Sequence, residues 1–437
     1  MYVSSGRPEA ATEAATEAAT EAGTGRAGSA AGAVVTGNVI ALGMVSLVTD
    51  VSSEMVTAVM PVYLVTGLGL TMLQFGFLDG LYSGVTVFLR LVGGHLADRF
   101  AARKHVAVVG YGMSAVAKLG LPLAGASVPG IGAVLAADRA GKGLRTAPRD
   151  ALISLSSSPQ AQGRAFGVHR ALDTAGAFTG PLVAFTILAA VGTAYDAVFV
   201  VSFCVGLVGV AMLVLFVRDH RDPIEHKPGW RDGIRLLRDR PYRRLCVVAA
   251  VLGLVTVSDA FVYLLLQHRL EIEPHWFPLL PLGTAGVYLV LALPLGRLAD
   301  RVGRRRVFLA GHGVLLAAYL LLGGPLGGVG LLIAVLALHG VFYAATDGVL
   351  SAAVGARLPA AGRAGGLAVV QTGQAMGRFA SSMIFGALWT ACGPAAAIRV
   401  LALGLAVALF GSALALAGGR VRRAGRARQA REVSDVR

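Results

Sequence analysis

"GHLADRFAARK" (94–104) and "GRLADRVGRRR" (296–306) are two versions of one phrase, about 200 residues apart. Each places Gly, Asp and Arg at the same spacing, closes on basic residues and stands between two long apolar runs. Two further echoes keep nearly the same offset. "LGMVSLVTD" (42–50) resembles "LGLVTVSD" (252–259) with one residue gapped, and "GRAFG" (163–167) resembles "GRAGG" (362–366). Three echoes at one offset point to internal duplication, so the nature of the repeated unit decides the fold.

That unit is apolar. The chain of 437 residues is 55% apolar and 14% charged, with mean hydropathy +0.69. A soluble domain is about 45–50% apolar and about 25% charged. A helix needs about 20 mainly apolar residues to cross a bilayer core. Twelve such segments can be drawn, at 38–66, 72–97, 104–124, 128–150, 164–190, 195–217, 244–268, 276–299, 306–324, 328–353, 364–390 and 394–417. The loops between them alternate. "TGLGLT" (66–71), "GASVPG" (125–130) and "GGPLGG" (323–328) carry no charge, whereas "DRFAARK" (98–104), the 218–244 stretch and "DRVGRRR" (300–306) carry the Arg residues. Lys and Arg concentrate on the cytoplasmic side of membrane proteins, so both termini and the central loop are expected inside a cytoplasmic membrane.

The expected fold is an all-α membrane protein with twelve transmembrane helices in two six-helix parallel-repeat bundles. Its expected parts are a disordered tail (1–35, with Ala/Thr/Glu repeats), a first bundle (36–217), a cytoplasmic linker with an amphipathic helix (218–243), a second bundle (244–417) and a basic cytoplasmic tail (418–437). Transporters built from such repeats place substrate between the halves near the midplane.

Several classes are excluded. The net charge of +15 lies in short clusters between apolar runs, not along one soluble face, which argues against nucleic acid as a partner. Three widely spaced Cys, with no Cys-x-x-Cys, imply neither a disulfide framework nor zinc. The first 35 residues lack the basic region and apolar run of a signal peptide. No nucleotide-binding loop, Gly-x-Ser-x-Gly or His-Glu-x-x-His is present, so no enzyme activity and no cofactor are expected.

The charges that remain inside the apolar segments are the candidate site, because an ionised group at bilayer depth needs a partner or a wet cavity. Segment 1 carries Asp50 and Glu54, segment 2 Asp79 and Arg90, segment 4 Asp138, Arg139, Lys142 and Arg145, and segment 5 His169, Arg170 and Asp173. Segment 7 carries Asp259, segment 10 Asp347 and segment 11 Arg378. Asp138, Lys142, Arg145 and Arg149 share one helical face. Pro148 is expected to end or bend segment 4, leaving Arg149 and Asp150 at the inner rim. Asp50 and Glu54 are four residues apart, which on a helix brings them side by side. Either they retain a proton between them, or Arg139 or Lys142 neutralises them. Asp259 stands at the duplicated position of Asp50. His268, Glu271, Glu273 and His275 fit no defined metal spacing and read as a solvated loop, so no metal site is expected.

Three motifs resemble the major facilitator superfamily, over essentially residues 36–417. The loop motif Gly-x-x-x-Asp-Arg-x-Gly-Arg/Lys-Arg/Lys appears as Gly94, Asp98, Arg99, Arg103 and Lys104, with Ala101 in place of the second Gly. It recurs more completely as Gly296, Asp300, Arg301, Gly303, Arg304 and Arg305. "DRAGKG" in segment 4 is similar to the Arg-x-x-x-Gly pattern of drug:proton antiporters, through Arg139 and Gly143. Gly167, Gly176, Gly180 and Pro181 in segment 5 match the antiporter signature, with Ala184 and Phe185 where two Gly are expected. The resemblance implies that the loop motifs gate the cytoplasmic side and that segments 1, 4, 7 and 10 line a central cavity.

The reading that follows is a proton-coupled efflux transporter of a small molecule, drug-like or metabolite, working by alternating access and as a monomer in the bilayer. Asp50 and Glu54 are the expected proton carriers with Arg139 as switching partner, and Asp79, Asp259 and Asp347 are secondary acids. A metal-cation or small-anion transporter of the same fold is the first alternative, and a non-transporting membrane receptor is the second.

Overall fold

The computed structural model describes residues 36–84, 103–158, 161–219, 235–356, 358 and 360–434. Of the expected features, the 1–35 tail, Arg90, the loop residues Gly94, Asp98 and Arg99, and linker residues 220–234 lie outside the described residues. Among the described residues the secondary structure is helical, and nine helices are long and apolar enough to cross a membrane. With the charge-rich fourth segment, the eleventh, and the partly described second, they account for the twelve expected segments.

The chain divides into two compact units. The first comprises Met1–His226 and Asp259–Leu282, the second Lys227–Ser258 and Gly283–Arg437. The sequence drew its division at the 218–243 linker; the structure also divides the seventh segment, giving the part from Asp259 onward to the first unit.

In the first unit the helices are α1 (Gly37–Val62), α2 (72–84), α3 (Arg103–Ala124), α4 (Val128–Leu155), α5 (Gln162–Val191) and α6 (Tyr195–Phe216), with α8 (Asp259–Leu270) from the seventh segment. Helix α1 runs on through Pro61 into a wider π turn, Tyr63–Gly67. It packs against α5 and α6, while α3 packs against α4 and α6. Small residues permit this. A Cβ on Gly180 of α5 would lie 2.8 Å from the Cβ of Glu54 and from the carbonyl oxygen of Val51, and Gly176 meets the Leu47 backbone in the same way. Gly110 of α3 and Gly141 of α4 face each other, a Cβ on Gly110 meeting the Gly141 carbonyl at 2.8 Å. Lipid tails are as apolar as the side chains, so no hydrophobic effect draws helices together in a bilayer, and close packing through small residues contributes instead. An apolar cluster of Val39, Leu42, Val45, Tyr111, Leu152 and Leu213 closes the unit at the α1 N-terminus.

Helix α4 does not end at Pro148 but runs to Leu155. The missing backbone bond costs about 3 kcal/mol; buried packing on α1 and α3 and the ion pairs of Arg149 offset it. Arg149 is therefore inside the bundle, 8% exposed, and not at a rim.

The second unit contains α7 (Arg240–Leu254), α9 (Leu280–Val302), α10 (Arg304–Gly323), α11 (Gly328–Thr346), α12 (Val349–Gly355), α13 (Ala360–Cys392) and α14 (Pro394–Ser434). Asp239 caps α7, its carboxylate accepting from the Tyr242 N–H at 3.2 Å. Helix α7 packs on α13 through glycine, a Cβ on Gly253 meeting the Gln374 carbonyl at 2.8 Å. It ends in an unwound stretch where the Val257 N–H donates to the Tyr319 hydroxyl at 2.7 Å. The tenth segment is also broken. Gly348, at φ 75°, turns the chain between α11 and α12 in a conformation that a side chain would strain.

Candidate functional site

The charges of α1, α4 and α5 meet inside the first unit. Helices α1 and α4 run antiparallel, and two contacts fix their register. The Arg149 guanidinium donates to the Ser46 hydroxyl at 3.3 Å, and one turn further along Arg145 reaches the Asp50 carboxylate at 3.5 Å. The next turn sets Glu54 at the level of Lys142. Arg139 and Arg145 are 4% and 3% exposed, Asp50 and Glu54 8% each.

Helix α5 supplies Asp173. Its Oδ1 accepts from the Ser46 hydroxyl at 2.8 Å and lies 3.8 Å from Arg149, while its Oδ2 lies 3.7 Å from Arg170. Its carboxyl is within hydrogen-bonding reach of the Asp50 carboxyl. Arg149 also holds Asp150, at 3.0 Å. Thus two acids from two helices face one another against Arg145 and Arg149. Glycines let them do so, because Gly176 and Gly180 bring α5 against α1 on either side of Asp50.

A second cluster lies beyond Glu54. The Asp138 carboxylate accepts from the Ser114 hydroxyl at 2.5 Å and from Arg139 Nε at 2.9 Å. The Arg139 guanidinium sits 3.9 Å over the Tyr82 ring, and the Tyr82 hydroxyl is 3.0 Å from that of Thr57. Lys118 of α3, 4% exposed, donates to Ser52, whose hydroxyl and carbonyl exchange hydrogen bonds with Ser202 of α6. Thr57, Tyr82, Lys118, Asp138 and Arg139, with Ser53, Val56 and Met60, line a small cavity.

The structure thus joins Asp50, Arg145, Arg170 and Asp173 in one network, and Asp138 with Arg139 in another. Arg139 binds the adjacent Asp138, not Asp50. Asp79 is partly buried on α2, and Asp259 opens α8. In the second unit Asp347 stands at the break after α11, and the Arg378 guanidinium lies 6.0 Å from the Tyr343 ring centre. Among the described residues no group of three or more His, Cys, Asp or Glu could hold a metal. The reading of segments by their acids passed over Lys118 and Tyr82. Lys118 was visible as a lysine well inside an apolar run, in a chain with four Lys.

The complete loop motif has a local structure. Arg304 Nε donates to Asp300 at 3.0 Å and its Nη1 donates to the Ala352 carbonyl of α12 at 2.6 Å, so the turn between α9 and α10 is tied to the end of the tenth segment. Gly303 makes that turn at φ 109°. At the partly described first copy, Lys104 donates from Nζ to the Val214 carbonyl at 2.8 Å, and its N–H donates to Asp219 at 3.3 Å.

The sequence profile described as Major Facilitator Superfamily matches residues 42–286 and 266–435. An uncharacterized MFS-type transporter of Methanocaldococcus jannaschii is 32% identical over 282 residues, covering 63% of this chain and 69% of the relative. An uncharacterized protein of Mycobacterium bovis is 35% identical over 176 residues, 40% of this chain and 42% of its own. Among solved structures, a variant of the nucleoside transporter NupG superposes with TM-score 0.74 at 14% identity, over 86% of this chain and 99% of its own. The POT family transporter PepTSo superposes with TM-score 0.72 at 13% identity, over 88% and 98%. These two share the fold.

Proposed function

Because the chain belongs to the Major Facilitator Superfamily, we propose that it couples proton entry to the export of a small organic molecule, with Asp50 and Asp173 as the proton-exchanging pair. The family makes it a multi-pass membrane transporter and not an enzyme. Proton coupling, outward direction and a drug-like or metabolite substrate are the proposal.

The observation that supports it is the approach of the Asp50 and Asp173 carboxyls against Arg145 and Arg149. Two carboxyls within hydrogen-bonding reach of each other can take one proton between them and release it as a pair. Each acid also has an arginine within reach, so the proton can leave without stranding a buried charge. Because α1 and α5 each contribute one acid, a small shift of one helix against the other would change the proton's hold. Glu54, one turn along α1, takes no part in this pair. Lys118, Asp138 and Arg139 form a fixed knot that anchors α3 and α4 to α1. In the second unit Arg304 and Asp300 serve the inner gate.

The test uses everted vesicles from cells that overproduce the protein, energised to be acid inside. Adding members of a panel of drugs and metabolites should release the proton gradient for an exported compound, seen as recovery of a quenched pH dye. Release with no member of the panel, where the protein is present and folded, contradicts proton-coupled export.

A further inference from the structure

Two charged side chains at the α1–α4 contact are left over once the pairs among the described residues are drawn. Neither the Glu54 carboxylate nor the Lys142 ammonium makes a hydrogen bond or ion pair with another described residue. Each of their charged neighbours on these helices is engaged. Arg139 is taken by Asp138, Arg145 by Asp50, and Arg149 by Asp150 and Asp173. Glu54 is 8% exposed and Lys142 is half-buried, so water does not fully solvate them. On the α4 stripe of Arg139, Lys142, Arg145 and Arg149, Lys142 is the one cation without a carboxylate at ion-pair distance among the described residues.

The two groups are close but do not meet. The α1–α4 register that the Arg149–Ser46 and Arg145–Asp50 contacts fix sets Glu54 and Lys142 at one level, yet their charged atoms stay beyond ion-pair distance. Packing explains the gap. The Glu54 Cβ is set against Gly180 of α5, and Lys142 is repelled by Arg139 and Arg145 on its own helix. An isolated charge inside a bundle is costly. Here two opposite charges are held one turn beyond the Asp50 pair with no counter-charge at ion-pair distance among the described residues.

We propose that Glu54 and Lys142 are a receptor for a zwitterion, Glu54 taking the ammonium of the transported molecule and Lys142 its carboxylate. A simple cation would leave Lys142 without a partner, and a simple anion would leave Glu54 without one. A molecule carrying both charges a few bonds apart satisfies both at once. This rests on the reading of the chain as an exporter of small molecules and names the class it moves. Charge complementarity at fixed separation also gives selectivity by chain length, since a short zwitterion spans only part of the gap.

The probes are the ω-amino acids from glycine to 6-aminohexanoate, with the matching alkylamines and carboxylic acids as single-charge controls. Thermal unfolding of the purified full chain in detergent, at uniform pH and with no gradient, reads binding alone. A saturable rise in Tm is expected with at least one ω-amino acid and with neither of its single-charge counterparts. Glu54→Gln and Lys142→Met should each weaken that binding about tenfold or more. Glu54→Lys combined with Lys142→Glu should restore it, the ligand binding in reverse. Stabilisation by amines alone or acids alone, by no member of the series, or undiminished in Glu54→Gln, overturns the proposal. Because no gradient is applied, these outcomes are independent of whether Asp50 and Asp173 exchange protons.

Discussion

Ser46 on α1 and Arg149 on α4 converge on one oxygen of Asp173, the hydroxyl at 2.8 Å and the guanidinium at 3.8 Å, and they are themselves 3.3 Å apart. Three helices are thus joined at a single carboxylate. Removing the cation leaves Asp173 with Ser46 and the more exposed Arg170, so the cost lies below that of a fully stranded buried acid, about 3–5 kcal/mol. Arg149→Met is expected to lower the Tm in detergent by the equivalent of that loss. Adding Asp173→Asn to it should recover much of the stability, so a double-mutant cycle on Tm checks the coupling.

The glycines of α5 separate into two kinds. A Cβ on Gly180 would meet Glu54 and the Val51 carbonyl at 2.8 Å, whereas a Cβ on Gly167 meets nothing within 4 Å. Gly180→Ala should therefore push α5 off α1, costing about 1–3 kcal/mol, and transport should fall with it. Gly167→Ala should be neutral or slightly stabilising, since alanine favours the helix by up to about 1 kcal/mol. Paired Tm and vesicle assays of the two variants decide whether the motif acts by packing.

Much of this was legible in the sequence. The repeated loop phrase and alternating loop charge fixed the twelve-segment reading because bilayer thickness leaves few other ways to bury so apolar a chain. The small residues of the fifth segment marked a helix contact, and the buried acids marked the first unit's interior. Partner choice was not legible. Asp50 reads as the neighbour of Glu54 because the helix puts them side by side, but its carboxyl turns to Asp173, which only the α1–α5 packing brings there. Pro148 reads as a stop or a bend because local rules omit the packing that carries α4 past it to Leu155. Lys118 was overshadowed by the acid-rich segments, and its partner Ser52 lies on a different helix.

The gate motif gives a prediction with the opposite signature. Arg304 and Asp300 are partly exposed, with side chains 35% and 60% accessible, so their pair contributes about 1 kcal/mol or less to stability. Arg304→Gln should leave the Tm nearly unchanged. It removes the donor to the Ala352 carbonyl, and with it the tie from the α9–α10 turn to α12. Transport should fall several-fold at unchanged expression. A large loss of Tm with normal transport in the survivors would contradict the gating role.

The central claim is that Asp50 and Asp173 exchange the coupling proton. Its most direct measurement is the pH-gradient dependence of flux in liposomes, using a compound that the vesicle assay shows to be exported and comparing wild type with Asp50→Asn and Asp173→Asn. The account predicts that each variant still exchanges the compound across the membrane when no gradient is applied, but that an imposed pH gradient no longer drives net movement. Flux that responds to the gradient as strongly in both variants as in the wild type would contradict it.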